Sequence, residues 1–498
     1  MRMHVYGAVV LAAVLLTTGV GAVSDRRLVD AAKRQDRQAV QELLTQGVDV
    51  DAPQGDGATA LHWAVYWDDL GTVDLLMRAG ANVNAVNDLG ATPLFLACSN
   101  ANGAMVEKLL AAGANPNAPV TPATTAEPPL MTAARTGSVE AVKALLAHGA
   151  DVNAAESAHG QTALMWAAAN QHAPVVRALI DAGADVHARS RVDRMLVMFP
   201  DVSRFRPTDR NIVDYHGGGF TPLLFAARYG DVESAKVLLA AGANVDDMTP
   251  ERATALALAA HSGWGAFAAY LLDQGADPNS DEAGYTALHA AVLRGDLALV
   301  QALLAHGADP EARLKRGTPV NRTSKDFAFN MAWIGATPFW LAARFTETEI
   351  MRALIAGGAD PQVTIPDGTT PLMAAAGLYA RSRDDRRGRR LDPSELAAIS
   401  ASGEDAQRSL EAAKFVFSLG ADVNAANTAG DTAVHAAAAR KEPPVVQWLA
   451  EQGARVDVSN KAGQTPLSIA NTFTRADAEE GGIDTEMVEI LQRLGATQ

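Results

Sequence analysis

A single cysteine, Cys98, stands in 498 residues, so no disulfide can form within the chain and its stability must come from packing. Aromatic residues make up only 5% of the sequence, too few for a sheet core rich in aromatic and β-branched side chains. Beyond the first 22 residues, no run is apolar and long enough to supply the ~20 residues that cross a bilayer. Positive charge is outweighed: 42 Lys and Arg face 57 Asp and Glu, a net charge of −15. That balance favours solubility, and nucleic-acid binding across the whole surface is not expected. Chemical signatures are missing as well. The sequence contains no His-Glu-x-x-His, no Cys-x-x-Cys, no Gly-x-Ser-x-Gly and no phosphate-binding Gly-rich loop ending in Lys-Ser/Thr. No catalytic, cofactor-binding or metal-binding residue is therefore nominated, and no cofactor is expected.

What is present begins with the first 22 residues. Arg2 and His4 precede an apolar run from Val5 to Leu16, and small residues lead to Val20-Gly21-Ala22. This is the layout of a secretory signal peptide with cleavage after Ala22, the alternative being an uncleaved membrane anchor. The mature chain, 23–498, is then expected outside the cytoplasm, periplasmic or secreted. Abundant alanine and a lone cysteine point to a bacterial source. Cys98 replaces an alanine of the pattern described next and is expected to be a small buried residue.

The remainder repeats itself. Thr59, Thr92, Thr162, Thr221, Thr254, Thr286, Thr337, Thr370, Thr432 and Thr465 each open a similar segment, and many of the steps between them are 33 residues. Pro128 takes the threonine slot in a further copy, and residues 25–52 supply a first copy without the threonine turn, for about twelve units. Each unit predicts two helices. The threonine suits the N-cap of the first, with Pro93, Pro222, Pro338, Pro371 and Pro466 in its first turn. The second carries leucine pairs and ends at a glycine such as Gly80, Gly113, Gly149 or Gly307, which suits a left-handed C-cap. Asn and Asp then suit the outgoing turn. Alanine pairs at 133–134, 226–227 and 342–343 let first helices approach closely, while leucines hold second helices further apart. The stack should therefore curve, with first helices and turns on the concave side. No unit can bury its leucines alone, so stability comes from neighbours.

These residues resemble the ankyrin-repeat family, whose motif Thr-Pro-Leu-His-x-Ala recurs over 33 residues. The resemblance covers nearly the whole mature chain. It implies an all-α solenoid of helix-turn-helix units with projecting β-turn fingers. It also implies, by analogy only, a protein-binding scaffold.

Three steps are too long, which places inserts near 189–216, 313–333 and 379–408. The first two should fall between units, at the fingers, and the third between the two helices of one unit. The inserts are basic: segments 189–214, 313–326 and 381–390 carry a net +10 together, which leaves about −25 for the rest. Their apolar residues, Met195 to Phe199 and then Phe327, Phe329, Met331 and Trp333, are expected to tack them onto the stack.

The letters that vary between copies nominate a surface. Residues seven and eight after the threonine, at the end of the first helix, include Tyr66, Trp67, Arg135, Arg228, Tyr229, His261, Arg294, Arg344, Phe345, Arg440 and Phe473. Turn positions add Phe220, Tyr285 and Trp333. Tyr, Trp and Arg dominate binding hot spots. His62, His289 and His435 fill the motif's histidine slot and should bond to turn backbone. Trp63, Trp166 and Trp340, read as one residue past that slot, should join the core. The expected function is non-enzymatic: a monomer gripping a folded protein partner on its concave face, without stable membrane insertion once the signal peptide is removed. The alternatives are polyanion or cell-surface binding through the basic inserts, or an enzyme whose site the inserts assemble.

Overall fold

The computed structural model describes residues 25–118, 127–198, 212–318, 328–378, 404–471 and 485–496. The signal segment 1–22 and residues 379–403 of the third insert lie outside the described residues. The described chain holds 24 α-helices and one two-stranded ribbon, Val192–Met198 with Ile212–Gly218. The first insert thus contributes both strands of the ribbon. The chain divides into two compact units, residues up to 193 with 218–247, and residues 194–217 with those from 248 onward.

Local rules build each helix pair. In the first unit, Thr92 is extended and its Oγ1 accepts from Phe95 N at 3.2 Å, with Pro93 following it in the first helix Pro93–Ser99. Asn102 caps the second helix, Gly103–Ala111, by accepting from Met105 N at 3.0 Å. Gly113 then takes φ +91°, a left-handed conformation that a side chain would strain. First helices pack on neighbouring first helices within each unit, as Ala60–Tyr66 does on Pro93–Ser99. The alanine pairs at this seam are fully buried, among them Ala133, Ala134, Ala342 and Ala343. Leu109, Leu145 and Leu303 are buried from the second helices, each stabilising by about 1.5–3 kcal/mol.

Between pairs the chain makes a tight finger. Asn87 N donates to Ala91 O at 3.1 Å, and Asn87 Oδ1 accepts from Ala91 N at 2.8 Å. Consecutive fingers join through backbone, as Asp88 N donates to Asp56 O at 2.9 Å. The asparagine of the outgoing turn reaches further than its own loop. Asn84 Nδ2 donates to Gly113 O at 3.0 Å and its Oδ1 accepts from Asn115 N at 2.8 Å, so one amide couples two pairs. Asn117 does the same to Gly149 O and Asp151 N, and in the second unit Asn424 does so to Gly453 O and Arg455 N.

The helix Pro371–Ala375 precedes residues 379–403, and a second helix follows them. That second helix, Glu404–Ser418, has 15 residues, where Thr348–Ala356 before it has nine.

Candidate partner-binding surface

Where the slot holds histidine, it closes one pair onto the next. Thr286 N donates to His289 Nδ1 at 3.2 Å, so the ring proton sits on Nε2, which donates to Ala336 O at 3.2 Å. His62 and His435 repeat the arrangement with Ala91 O and Gln464 O. Burial holds all three rings below the usual histidine range, His289 down to about 4. Neutral imidazole is therefore the folded form. Trp340 corrects the sequence reading: it stands in the histidine slot itself, three residues after Thr337, and not one past it. Its indole Nε1 donates to Thr369 O at 3.0 Å, replacing the histidine's bond to the next turn. Trp63 and Trp340 are buried and Trp166 is half-buried. Cys98 is buried too, which pushes its thiol well above the ordinary range.

The nominated residues divide between the two units. In the first, Trp67 is 42% exposed and Tyr229 is 41% exposed. Tyr66 is half-buried and packs edge-on against Trp67 at 4.9 Å and Trp63 at 5.7 Å. Trp67 in turn stacks on Trp63 at 6.5 Å. The exposed Arg228 holds its guanidinium 5.8 Å from the Phe220 ring and 6.0 Å from the Tyr229 ring. Phe220, half-buried, meets Phe225 edge-on. Arg135 is half-buried and pairs loosely with Glu127 at 3.7 Å.

In the second unit the same positions turn inward. Tyr285, Trp333, Arg344 and Phe345 are all buried, Arg344 at 1% exposure. Trp333 lies edge-on to Phe345 at 5.6 Å and beneath the Arg344 guanidinium at 5.6 Å. Phe329 fills the space between Tyr285, His261 and His289. The second insert is thus tacked down by Phe329 and Trp333, as its apolar residues led us to expect, while Met331 stays exposed. Arg294 Nε donates to His261 O at 2.5 Å. Arg440 pairs with Asp405 at 2.5 Å and Glu442 at 3.3 Å. His261 is half-buried, and Phe473 lies outside the described residues.

The described insert cations also serve the scaffold. Arg189 reaches Gly219 O and Asp247, and Arg191 reaches Ser157 O and Asp193. Arg313 donates to Gly335 O and Thr364 O, Lys315 pairs with Asp281, and Arg316 donates to Ala283 O and Glu251 O. Two cations escaped the nomination. Lys33 places Nζ 4.8 Å from the Trp63 ring, with exposed Arg34 beside it. Both belong to the first copy, which lacks the threonine from which positions were counted.

Among the described residues no group of His, Cys, Asp and Glu could hold a metal ion, and no helix is long and apolar enough to cross a membrane.

A family model described as ankyrin repeats (3 copies) matches residues 28–120, 121–190, 223–313 and 399–491. An ankyrin repeat-containing protein of Treponema pallidum (strain Nichols) is 43% identical over 110 residues, 22% of this chain and 37% of its own length. Ankyrin repeat and SOCS box protein 16 of Homo sapiens is 35% identical over 228 residues, 43% of this chain and 46% of its own. A palmitoyltransferase of Danio rerio, ZDHHC13, is 29% identical over 251 residues, 50% of this chain and 32% of its own. The chain thus spans less than half the length of each of these relatives. The solved human ASB11 ankyrin repeat domain aligns with 57% of this chain and 98% of its own, at 25% identity and a TM-score of 0.38.

Proposed function

The chain belongs to the ankyrin-repeat family, whose repeats are protein–protein interaction modules, and from that premise we propose that it is a non-enzymatic scaffold that binds a folded partner along the ends of its first helices. The observation that carries this reading is the exposure of Trp67 and Tyr229, with Arg228 stacked beside the latter, in a chain with few aromatics. Large, semi-rigid side chains of this kind lose little freedom on binding and dominate interface energetics. The scaffold acts as a monomer of twelve units, a number supported by the alternation of first and second helices. It works in the periplasm or outside a bacterial cell after cleavage behind Ala22, as the layout of residues 1–22 supports. The polyanion reading loses support, because the described cations of the first two inserts are engaged with carbonyls and carboxylates of the chain itself.

Crosslinking and pull-down from the exported fraction, read by mass spectrometry, tests the proposal. Trp67→Ala with Tyr229→Ala should abolish capture of the partner while leaving the thermal midpoint within a few degrees of the parent. Undiminished capture would overturn it. Sequencing the N-terminus of the exported protein tests the cleavage site.

A further inference from the structure

We infer that Glu251 is a latch that couples the first two inserts: its carboxylate holds the strand Ile212–Gly218 through His216 and the start of the second insert through Arg316, so that freeing either insert loosens the other. The latch is a property of the chain itself and stands apart from the partner-binding reading.

All three residues belong to the second compact unit, which takes in 194–217 and everything from 248 onward, while residues 193 and 218 on either side of the insert belong to the first. Glu251 stands on a tight finger, closed where Thr249 N donates to Ala253 O at 2.9 Å and Arg252 N donates to Thr249 O at 2.8 Å. Its side chain is 19% exposed, against 48% for His216 and 45% for Arg316. From the strand, His216 N donates to Glu251 Oε1 at 2.8 Å, and His216 Nδ1 donates to the same oxygen at 3.2 Å. From the second insert, Arg316 Nη2 donates to Glu251 O at 2.8 Å and lies 3.5 Å from Oε2.

Each insert thus has its own carboxylate oxygen. Two donors on Oε1 set the rotation of the carboxylate, and the same rotation turns Oε2 toward the guanidinium. Contacts that share one group in this way are coupled and their effects do not simply add. The neighbouring cations are engaged elsewhere: Arg252 pairs with Glu282 and Lys315 with Asp281.

Arg316 passes the coupling on to backbone. Its Nε donates to Ala283 O at 2.7 Å, and its stem lies over Gly284, where a Cβ would collide with Arg316 Cγ. Gly284 also holds φ +91°, so the conformation and the close approach both call for glycine. One residue before Arg316, Lys315 N donates to Gly284 O at 2.8 Å, and Leu314 N donates to Ala336 O at 2.9 Å. These two amides report on how firmly the start of the second insert is held.

Hydrogen–deuterium exchange of the full chain tests the latch, with rates read relative to the helix Leu297–Ala305 of the same unit. Glu251→Gln should speed exchange about tenfold or more, both in the strand Ile212–Gly218 and at Leu314 and Lys315. The decisive variants touch one insert each. His216→Ala should speed exchange at Leu314 and Lys315 about threefold or more, and Arg316→Ala should do the same in the strand. Parent rates at the far insert in either of these variants would show two independent contacts and overturn the coupling. Parent rates at either insert in Glu251→Gln would remove the latch itself. Arg252→Gln alters the same finger but keeps the carboxylate, so both inserts should exchange as in the parent. A rise there equal to that of Glu251→Gln would assign the effect to the finger as a whole, and the latch would fall.

Discussion

Trp67 and Phe345 occupy one position of the repeat, eight residues past Thr59 and Thr337, yet Trp67 is 42% exposed and Phe345 only 4%. One position earlier, Tyr66 is half-buried at the surface and Arg344 is sealed at 1%. The helices that carry them are alike, each with seven residues and a threonine before it. The difference comes from what lies across them. In the second unit the insert after the eighth helix pair lays Trp333 on Arg344 and Phe345. In the first unit the only ring contacts of Trp67 among the described residues are with Trp63 and Tyr66, from its own helix. A repeat position has no fixed fate, because an insert can convert a surface residue into a core one.

Truncating the two aromatic side chains separates their environments most sharply. Phe345→Ala should cost about 3–5 kcal/mol, as for other buried aromatics, and Trp67→Ala about 1 kcal/mol or less. Chemical denaturation midpoints of the two variants check this, and equal losses would erase the distinction between the units. The buried histidines give the next largest effect. An unfolded histidine takes up a proton below about 6.5, while His289 stays neutral in the fold until about 4. Its contribution is fully present above 6.5 and is lost as the pH falls toward 4, on the order of 3 kcal/mol in all. A pH series of midpoints should flatten over that window in His289→Gln. Arg440→Ala strips Asp405 and the buried Glu442 of their cation and should cost about 2 kcal/mol. Arg228→Ala, stacked at the surface, should stay within about 0.5 kcal/mol in the same assay. One change is a gain. Lys441 holds φ +59° at a helix C-cap where Gly230 and Gly295 stand elsewhere, so Lys441→Gly should stabilise by about 0.5–1 kcal/mol.

Most of the helices were legible because their determinants are local. Thr92, Pro93 and Phe95 N lie within one turn, and so do Thr286 and His289. The buried alanine seam was legible from spacing alone. The bridges made by Asn84, Asn117 and Asn424 were not, because each partner lies 29 to 34 residues away and a turn-forming asparagine looks the same whether or not it reaches one. The ribbon Val192–Met198 was hidden because charged residues interrupt its alternation. At the candidate surface the residue types were readable but their exposure was not. Arg344 and Arg228 both stand seven past a threonine, yet Arg344 is sealed, with Trp333, eleven residues earlier along the chain, against its guanidinium, while Arg228 is exposed. Lys33 and Arg34 were overlooked because the first copy lacks the threonine that sets the count.

The burial of Cys98 has a practical side. With its thiol enclosed and held protonated, the folded chain offers no native sulfur to alkylating dyes. One cysteine introduced at Lys143 or Trp67 would then take a label alone, giving clean fluorophore attachment for titrations. Slow labelling of the unaltered chain would time the opening of the helix Pro93–Ser99 itself.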